Sequence, residues 1–237
     1  MTRRRWIADE FSATHAALTG EHAVHLIRVL RARVGQEFDI SAGPVVRRGR
    51  VVTIADNRVE FELGAEVFVT SLTKITLLLA VFKFDRMEWA IEKCTELGVA
   101  RIVPVIARRS EKHLAGASAK RVERWRKIAL QAGEQSRRPT PPEIAAPLKL
   151  QAAISLIPAL RIVLDESESG TALRDLLTSD RDNEIALAIG PEGGWTADEL
   201  ESFQKAGWHS ASLGPTILRA ETAAIAAMAI AVSQLGS

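Results

Sequence analysis

One cysteine in 237 residues leaves no partner for an internal disulfide and too few thiolates for a cysteine-built metal site, and it fits a reducing cytosol. The five histidines, at positions 15, 22, 25, 113 and 209, are not set with cysteines or carboxylates at metal-ligand spacing, so no metal is expected. No apolar run is long enough to span a bilayer: Ala220 to Leu235 is Ala-rich, short, and interrupted by Glu221 and Gln234. The opening MTRRRWIADE is basic, but no apolar stretch follows as a secretory signal requires, and the expected location is cytoplasmic. Charge of neither sign dominates, with 31 Lys and Arg against 29 Asp and Glu. What is present, 47% hydrophobic and 25% charged residues, is the composition of a globular protein of one large domain or two unequal ones.

The near-zero net charge hides a division. Residues 1–73 carry 10 basic and 9 acidic side chains, and residues 74–100 carry 4 of each. Residues 101–138 carry 11 against 3, whereas residues 139–237 carry 6 against 13. A basic middle beside an acidic C-terminal part points to a polyanionic partner on one surface, with a solvated helix face as the plainer explanation.

The first seventy residues read as a small, mostly β module. A helical stretch around His22 to Leu30 precedes short β-branched runs at Gln36 to Ile40, Val45 to Ile54 and Arg58 to Leu63, punctuated by Ser41-Ala42-Gly43-Pro44 and Asp56-Asn57. From Lys74 the pattern becomes strand alternating with helix. The expected strands are Ile75 to Val81, Arg101 to Ile106, Leu160 to Asp165, Glu184 to Ile189 and Ala211 to Leu213. The expected helices are Asp85 to Leu97, Ala119 to Gly133, Thr171 to Leu177, Ala197 to Ala206 and Ala220 to Gln234. Continuous apolar strands between helices predict an α/β fold with a parallel sheet covered on both faces. The expected domains are therefore 1–73 and 74–237, with Ser136 to Pro147 as a loop inside the second.

Ligands of such sheets bind at the carboxyl ends of strands, so the turns that follow strands carry the functional signal. One is Ile189-Gly190-Pro191-Glu192-Gly193-Gly194-Trp195, ahead of Thr196-Ala197-Asp198-Glu199, which reads as a capping box. Its glycines allow close backbone approach to a ligand, although a tight strand-to-helix turn explains them too. It is neither G-x-G-x-x-G nor a Walker A loop, which removes the usual support for dinucleotide or nucleoside-triphosphate binding. The other turn is Leu213-Gly214-Pro215-Thr216-Ile217-Leu218-Arg219-Ala220-Glu221-Thr222. Glu221 falls in the first turn of the last helix, where a carboxylate suits the helix dipole. Arg219 is the only basic residue after Lys205, beside a helix start that disfavours positive charge, so it is a candidate for holding an anion or a carbonyl-rich ligand.

These two loops, together with Phe82-Lys83-Phe84-Asp85-Arg86-Met87-Glu88, Glu96-Leu97-Gly98-Val99, Arg108-Arg109-Ser110, Trp125-Arg126-Lys127-Ile128-Ala129 and Glu134-Gln135-Ser136, resemble the ribosomal RNA small subunit methyltransferase E family over almost the whole chain. The resemblance implies S-adenosylmethionine as cofactor and N3 of one uridine in 16S rRNA as methyl acceptor. It also implies a SPOUT-type trefoil-knotted sheet domain, an N-terminal PUA-like β-barrel and a homodimer. The cofactor cleft would be walled by Ile189, Gly190, Pro191, Gly193 and Gly194 on one side and Leu213, Gly214, Ile217, Leu218 and Thr222 on the other, with Leu164 to Glu166 as a third edge. Arg219 would be the main catalytic residue, stabilising the uracil anion, and Glu192 or Glu221 the proton acceptor.

RNA capture would fall to Arg108, Arg109, Lys120, Arg124, Lys127, Arg137 and Arg138 around the basic helix, with Arg28, Arg31 and Arg33 as a second cluster; the inward phase of Trp125 makes it core. The partner would be 16S rRNA or the small ribosomal subunit. Two other classes share parts of the pattern. A non-catalytic RNA-binding assembly factor would have no use for two placed loops, and a ribose 2'-O-methyltransferase would differ only in the atom methylated.

Overall fold

The computed structural model describes residues 5–43, 45–67, 74–136, 138–155, 160–177 and 184–235, so Arg137 and the expected domain boundary at 73/74 lie outside the described residues. Contacts divide the chain into two compact units, one of residues 1–71 with 133–141, the other of 72–132 with 142–237.

The N-terminal unit holds β1 (Arg5–Ile7), β2 (Glu10–Phe11), β3 (His15–Thr19), α1 (Gly20–Val24), β4 (Glu37–Ala42), β5 (Val45–Ala55) and β6 (Arg58–Val67), in the sheet order β1-β4-β5-β6-β3-β2. The β1–β4 pair is parallel and the rest are antiparallel. Register shifts between Arg47 and Gly49 and between Val51 and Thr53 curl the long β5–β6 hairpin. Gly49 sits where β5 crosses Ile40, and a Cβ there would lie 2.4 Å from Ile40 Cγ1. The concave side is filled by Leu18, Ile40, Val59 and Phe61, and by Ala23 and Leu26 from α1 and the π-helical turn His25–Val29 that continues it.

Residues 133–141, which overlap the expected loop Ser136 to Pro147 of the α/β part, group with this unit for a side-chain reason. His22 Nδ1 lies 3.3 Å from Asp9 Oδ1 and Nε2 lies 3.3 Å from Glu134 Oε1. Burial pushes the Glu134 carboxyl above its ordinary value, the nearby Asp9 adding to it and His22 opposing it. The three N-terminal strands were not expected from the sequence: β2 is two exposed residues, and Ala16-Ala17 in β3 lack the β-branched signature.

The C-terminal unit contains β7 (Lys74–Ala80), α2 (Phe84–Glu96), β8 (Arg101–Ile106), α3 (Lys112–Ala117), most of α4 (Val122–Gln135), β9 (Glu143–Ile144), β10 (Leu148–Lys149), α5 (Leu150–Ile154), β11 (Leu160–Leu164), α6 (Leu173–Leu176), β12 (Glu184–Ile189), α7 (Ala197–Lys205), β13 (His209–Ala211) and α8 (Ala220–Leu235). The strands form one parallel sheet in the order β10-β8-β7-β12-β11-β13, with β9 also paired to β8. Alternate residues of β7 serve two cores. Ile75, Leu77 and Leu79 pack with α2, α4 and α8, while Leu78 and Ala80 pack with Ile154, Trp195 and Phe203 on the other face. Burial on both faces is what makes these strands uniformly apolar.

The short α3, β9, β10 and α5 were not expected from the sequence, β9 falling inside the expected loop Ser136 to Pro147, and two expected elements have other bounds. Thr171 and Ala172 do not begin α6, because Thr171 O accepts from Ser212 N at 2.9 Å and Ser212 O accepts from Leu173 N at 2.9 Å, an extended pairing incompatible with helix. β13 ends at Ala211 because Ser212 Oγ accepts from Gly214 N at 3.1 Å and turns the chain. Among the described residues no helix is long and apolar enough to cross a membrane.

Candidate active site

The carboxyl ends of β11, β12 and β13 open into one cleft of about 220 Å³. Its lining comes from Leu164–Ser167 after β11, Ile189–Glu192 with Gly194 and Trp195 after β12, and Ala211–Leu218 after β13, closed by Ala220 and Ala223 of α8. The sheet order explains the convergence, since β12 is inserted between β7 and β11 and the three strands lie side by side.

The glycine-rich loop turns at Gly194. Gly194 has φ +69° and donates to Pro191 O at 2.8 Å, and a Cβ on it would approach Glu166 Oε1 to 2.9 Å. The backbone conformation therefore favours glycine there, and an added side chain would also displace the Glu166 carboxylate. The loop then enters α7 through the expected capping box: Glu199 N donates to Thr196 Oγ1 at 3.3 Å and Thr196 N donates to Glu199 Oε2 at 2.9 Å. Trp195 is buried against Phe203, with ring centroids 4.9 Å apart, and its Nε1 has no hydrogen-bond partner among the described residues.

Of the residues expected to contact a cofactor, Leu164, Ile189, Gly190, Pro191, Gly194, Leu213, Gly214, Ile217 and Leu218 line this cleft. Gly193 and Thr222 do not. Gly193 faces Arg109, whose Cδ would be 3.3 Å from an added Cβ, and Thr222 is exposed, lying between the lining residues Ala220 and Ala223 on the outward side of α8. Glu166 lines the cleft as the expected third edge does, whereas Trp195 and Ala223 are lining residues that sequence reasoning missed, because nothing in their local pattern tells which way they face.

The candidate catalytic residues separate. Arg219 is exposed, between the lining residues Leu218 and Ala220, and makes no side-chain hydrogen bond or ion pair among the described residues. Glu192 lines the cleft, 39% exposed, with Lys83 Nζ 3.8 Å away. Glu221 is buried, pairs with Arg86 and does not line the cleft, so the expectation of an accessible base at Glu221 is corrected by its packing under α2.

The comparisons with known proteins fall on this architecture. A model of the RNA methyltransferase domain matches residues 70–232. The ribosomal RNA small subunit methyltransferase E of Rickettsia conorii is 35% identical over 93% of this chain and 90% of its own, and that of Aquifex aeolicus is 32% identical over 89% and 91%. This chain belongs to the ribosomal RNA small subunit methyltransferase E family. A solved family member, from Neisseria gonorrhoeae and bound to S-adenosyl methionine, superposes with a TM-score of 0.85 at 28% identity, covering 99% of this chain and 98% of that one.

In this methyltransferase E chain the expected RNA-binding residues are differently engaged. Lys120, Arg124 and Lys127 are exposed, and Val122, Trp125 and Ala129 are buried as their spacing predicts. Arg124 is held by Glu88 through a fork of 2.6 and 2.7 Å, which raises the guanidinium pKa by hydrogen bonding and charge, so part of the basic face is already neutralised. Arg108 is exposed, 3.8 Å from Asp198, and its backbone N donates to Glu199 Oε1 at 2.8 Å. Arg109 donates to the carbonyls of Gly193 and, at 3.3 Å, Trp195. In the N-terminal unit Arg138 is half-buried, which pushes its pKa down to about 10, whereas Arg28, Arg31 and Arg33 are exposed. Arg31 has φ +51°, the only non-glycine in the left-handed region among the described residues.

Proposed function

We propose that this protein transfers the methyl group of S-adenosylmethionine to N3 of a uridine in 16S rRNA. The observation that carries the reading is the convergence of the Ile189–Trp195 and Ala211–Leu218 loops in one cleft with Arg219, unpaired among the described residues, at its rim. The lining fits the cofactor: Ile189, Leu213, Ile217 and Leu218 offer apolar walls for an adenine, glycine backbone leaves space no side chain takes, and the buried Trp195 Nε1 is a donor without a partner among the described residues. S-adenosylmethionine supplies an already activated methyl group, so the protein's task is to position the acceptor and manage its proton.

Uracil N3 becomes nucleophilic when its proton leaves and charge spreads to the flanking carbonyl oxygens. Arg219 stabilises that charge by a charge-assisted hydrogen bond, and Glu192, which faces the cleft where Glu221 does not, takes the proton.

The C-terminal unit is read as a SPOUT-type knot. In support, β12 lies inside β11, β13 lies outside it, and α8 returns to pack on α2, α6 and β12, the order a chain threaded through a loop produces. The N-terminal curled sheet is read as a PUA-like barrel that binds RNA through Arg28, Arg31 and Arg33. Pairing of two copies into a homodimer is supported by Ile217, 80% exposed, and Trp89, 47% exposed. The protein acts in the cytoplasm, on 16S rRNA or the small subunit.

Incubation with labelled S-adenosylmethionine and small subunits that lack the modification, followed by mass spectrometry of the digested rRNA, tests the reading. A base-methylated uridine supports it, and a ribose-methylated nucleotide replaces it with 2'-O transfer.

A further inference from the structure

We infer that Arg109 is a positioning residue of the cofactor cleft, which keeps the Gly190–Trp195 loop in its ligand-binding shape, and is not a phosphate contact. The inference rests on the reading that this cleft takes S-adenosylmethionine.

Three sets of contacts carry it. First, the backbone on which Arg109 stands is fixed on both sides. Arg108 N donates to Glu199 Oε1 at 2.8 Å, and the buried Ser110 donates through Oγ to Val81 O at 2.7 Å while accepting from Ala107 N at 3.3 Å. Second, the Nη1 of Arg109 donates to two carbonyls of the same loop, those of Gly193 and Trp195, on either side of Gly194 with its φ of +69°. Third, the aliphatic stem fills the space outside Gly193, where an added Cβ would meet Arg109 Cδ at 3.3 Å. Gly193 is accordingly the one residue between Gly190 and Trp195 that does not line the cleft.

The physical consequence follows from what a loop of this composition needs. Glycines confer close approach and also conformational freedom, so a Pro-Glu-Gly-Gly turn must be ordered by something outside itself, or ligand binding bears that ordering cost. A charged donor on backbone carbonyls is a strong device for this. Among the described residues no carboxylate pairs with Arg109, so its guanidinium hydrogen bonds go to the loop. The same grip sets the Trp195 backbone, and with it the indole whose Nε1 lies 3.3 Å from the Cβ position of Gly190.

The test measures S-adenosylmethionine binding by calorimetry on the full chain for wild type, Arg109→Ala, Arg109→Lys and Leu213→Asp, together with rRNA-fragment binding across a salt series. Arg109→Ala is expected to weaken cofactor binding about tenfold, with Arg109→Lys between it and wild type. Amide hydrogen exchange over residues 190–195 should accelerate in Arg109→Ala without cofactor, and the salt slope of RNA binding should stay that of wild type. A cofactor affinity within about twofold of wild type overturns the inference, as does a salt slope lower by about one with unchanged cofactor affinity, the mark of a lost phosphate contact. Should Arg109→Ala fail to fold, Arg109→Gln carries the same readings. Leu213→Asp separates the two claims: if it binds cofactor normally, the cleft assignment fails, whereas if it loses binding and Arg109→Ala does not, only the role of Arg109 falls.

Discussion

Arg86 in the first turn of α2 holds Glu221 in the first turn of α8, and the carboxylate is the more deeply buried partner, 2% exposed against 34% for the arginine. Glu221 Oε2 has no hydrogen-bond partner among the described residues, so Arg86 supplies the ionic compensation for that burial. The pairing also raises the Arg86 pKa, through the hydrogen bond to Glu221 and its charge. It ties the first turn of α8 to α2 through Glu221, two residues after Arg219.

Removing the two partners should be unequal. Arg86→Ala strands a buried carboxylate and is expected to lower the melting temperature more than Glu221→Gln, which leaves a neutral group in place; the double alanine variant should recover part of the loss. A melting temperature for Arg86→Ala equal to wild type would show that the pair does not hold α8.

Arg219→Ala is expected to reduce the methyl-transfer rate on the order of a hundredfold or more while leaving S-adenosylmethionine affinity near wild type. Arg219 lies at the rim and not in the lining, so binding and chemistry should part company in this variant. Full activity would remove it from the mechanism.

On the basic face Glu88 holds the Arg124 guanidinium, so an RNA phosphate bound there would have to displace that carboxylate. Glu88→Gln should therefore strengthen rRNA binding and steepen its salt dependence, whereas Lys120→Ala should weaken binding and flatten the slope by about one. Weaker binding by Glu88→Gln would place the RNA elsewhere.

Burial pushes the Cys94 thiol from its ordinary 9.0 to about 12. In that interval the unfolded chain has lost a proton that the folded chain keeps, so this group's contribution to stability falls as pH rises from about 9 to about 12. Native protein at pH 8 should resist iodoacetamide and denatured protein should take up one equivalent; rapid native labelling would contradict the burial of Cys94.

The strand-helix alternation after Lys74 was legible because each central strand is buried on two faces and each long helix on one, so β12 appears with its expected bounds and α2 and α8 within a residue of theirs. The N-terminal strands were not, since β1 to β3 are short and owe their pairing to β4 and β6 rather than to their own residues. The same contrast runs through the site. The two glycine-bearing loops announce themselves by composition, but Glu192 and Glu221 look alike in sequence, and one lines the cleft while the other is buried beneath α2.

By itself the sequence determined which segments are strand or amphipathic helix, where backbone must approach a ligand closely, and where positive charge accumulates, because these depend on residue type and spacing along the chain. Only the tertiary structure decided which charges remain available: Arg109 is given to two carbonyls, Arg124 to Glu88 and Glu221 to Arg86, while Arg219 is left unpaired among the described residues. A charge's availability is set by its nearest partner and its burial, and the partners lie between 36 and 135 residues away in the chain, beyond the reach of any local pattern.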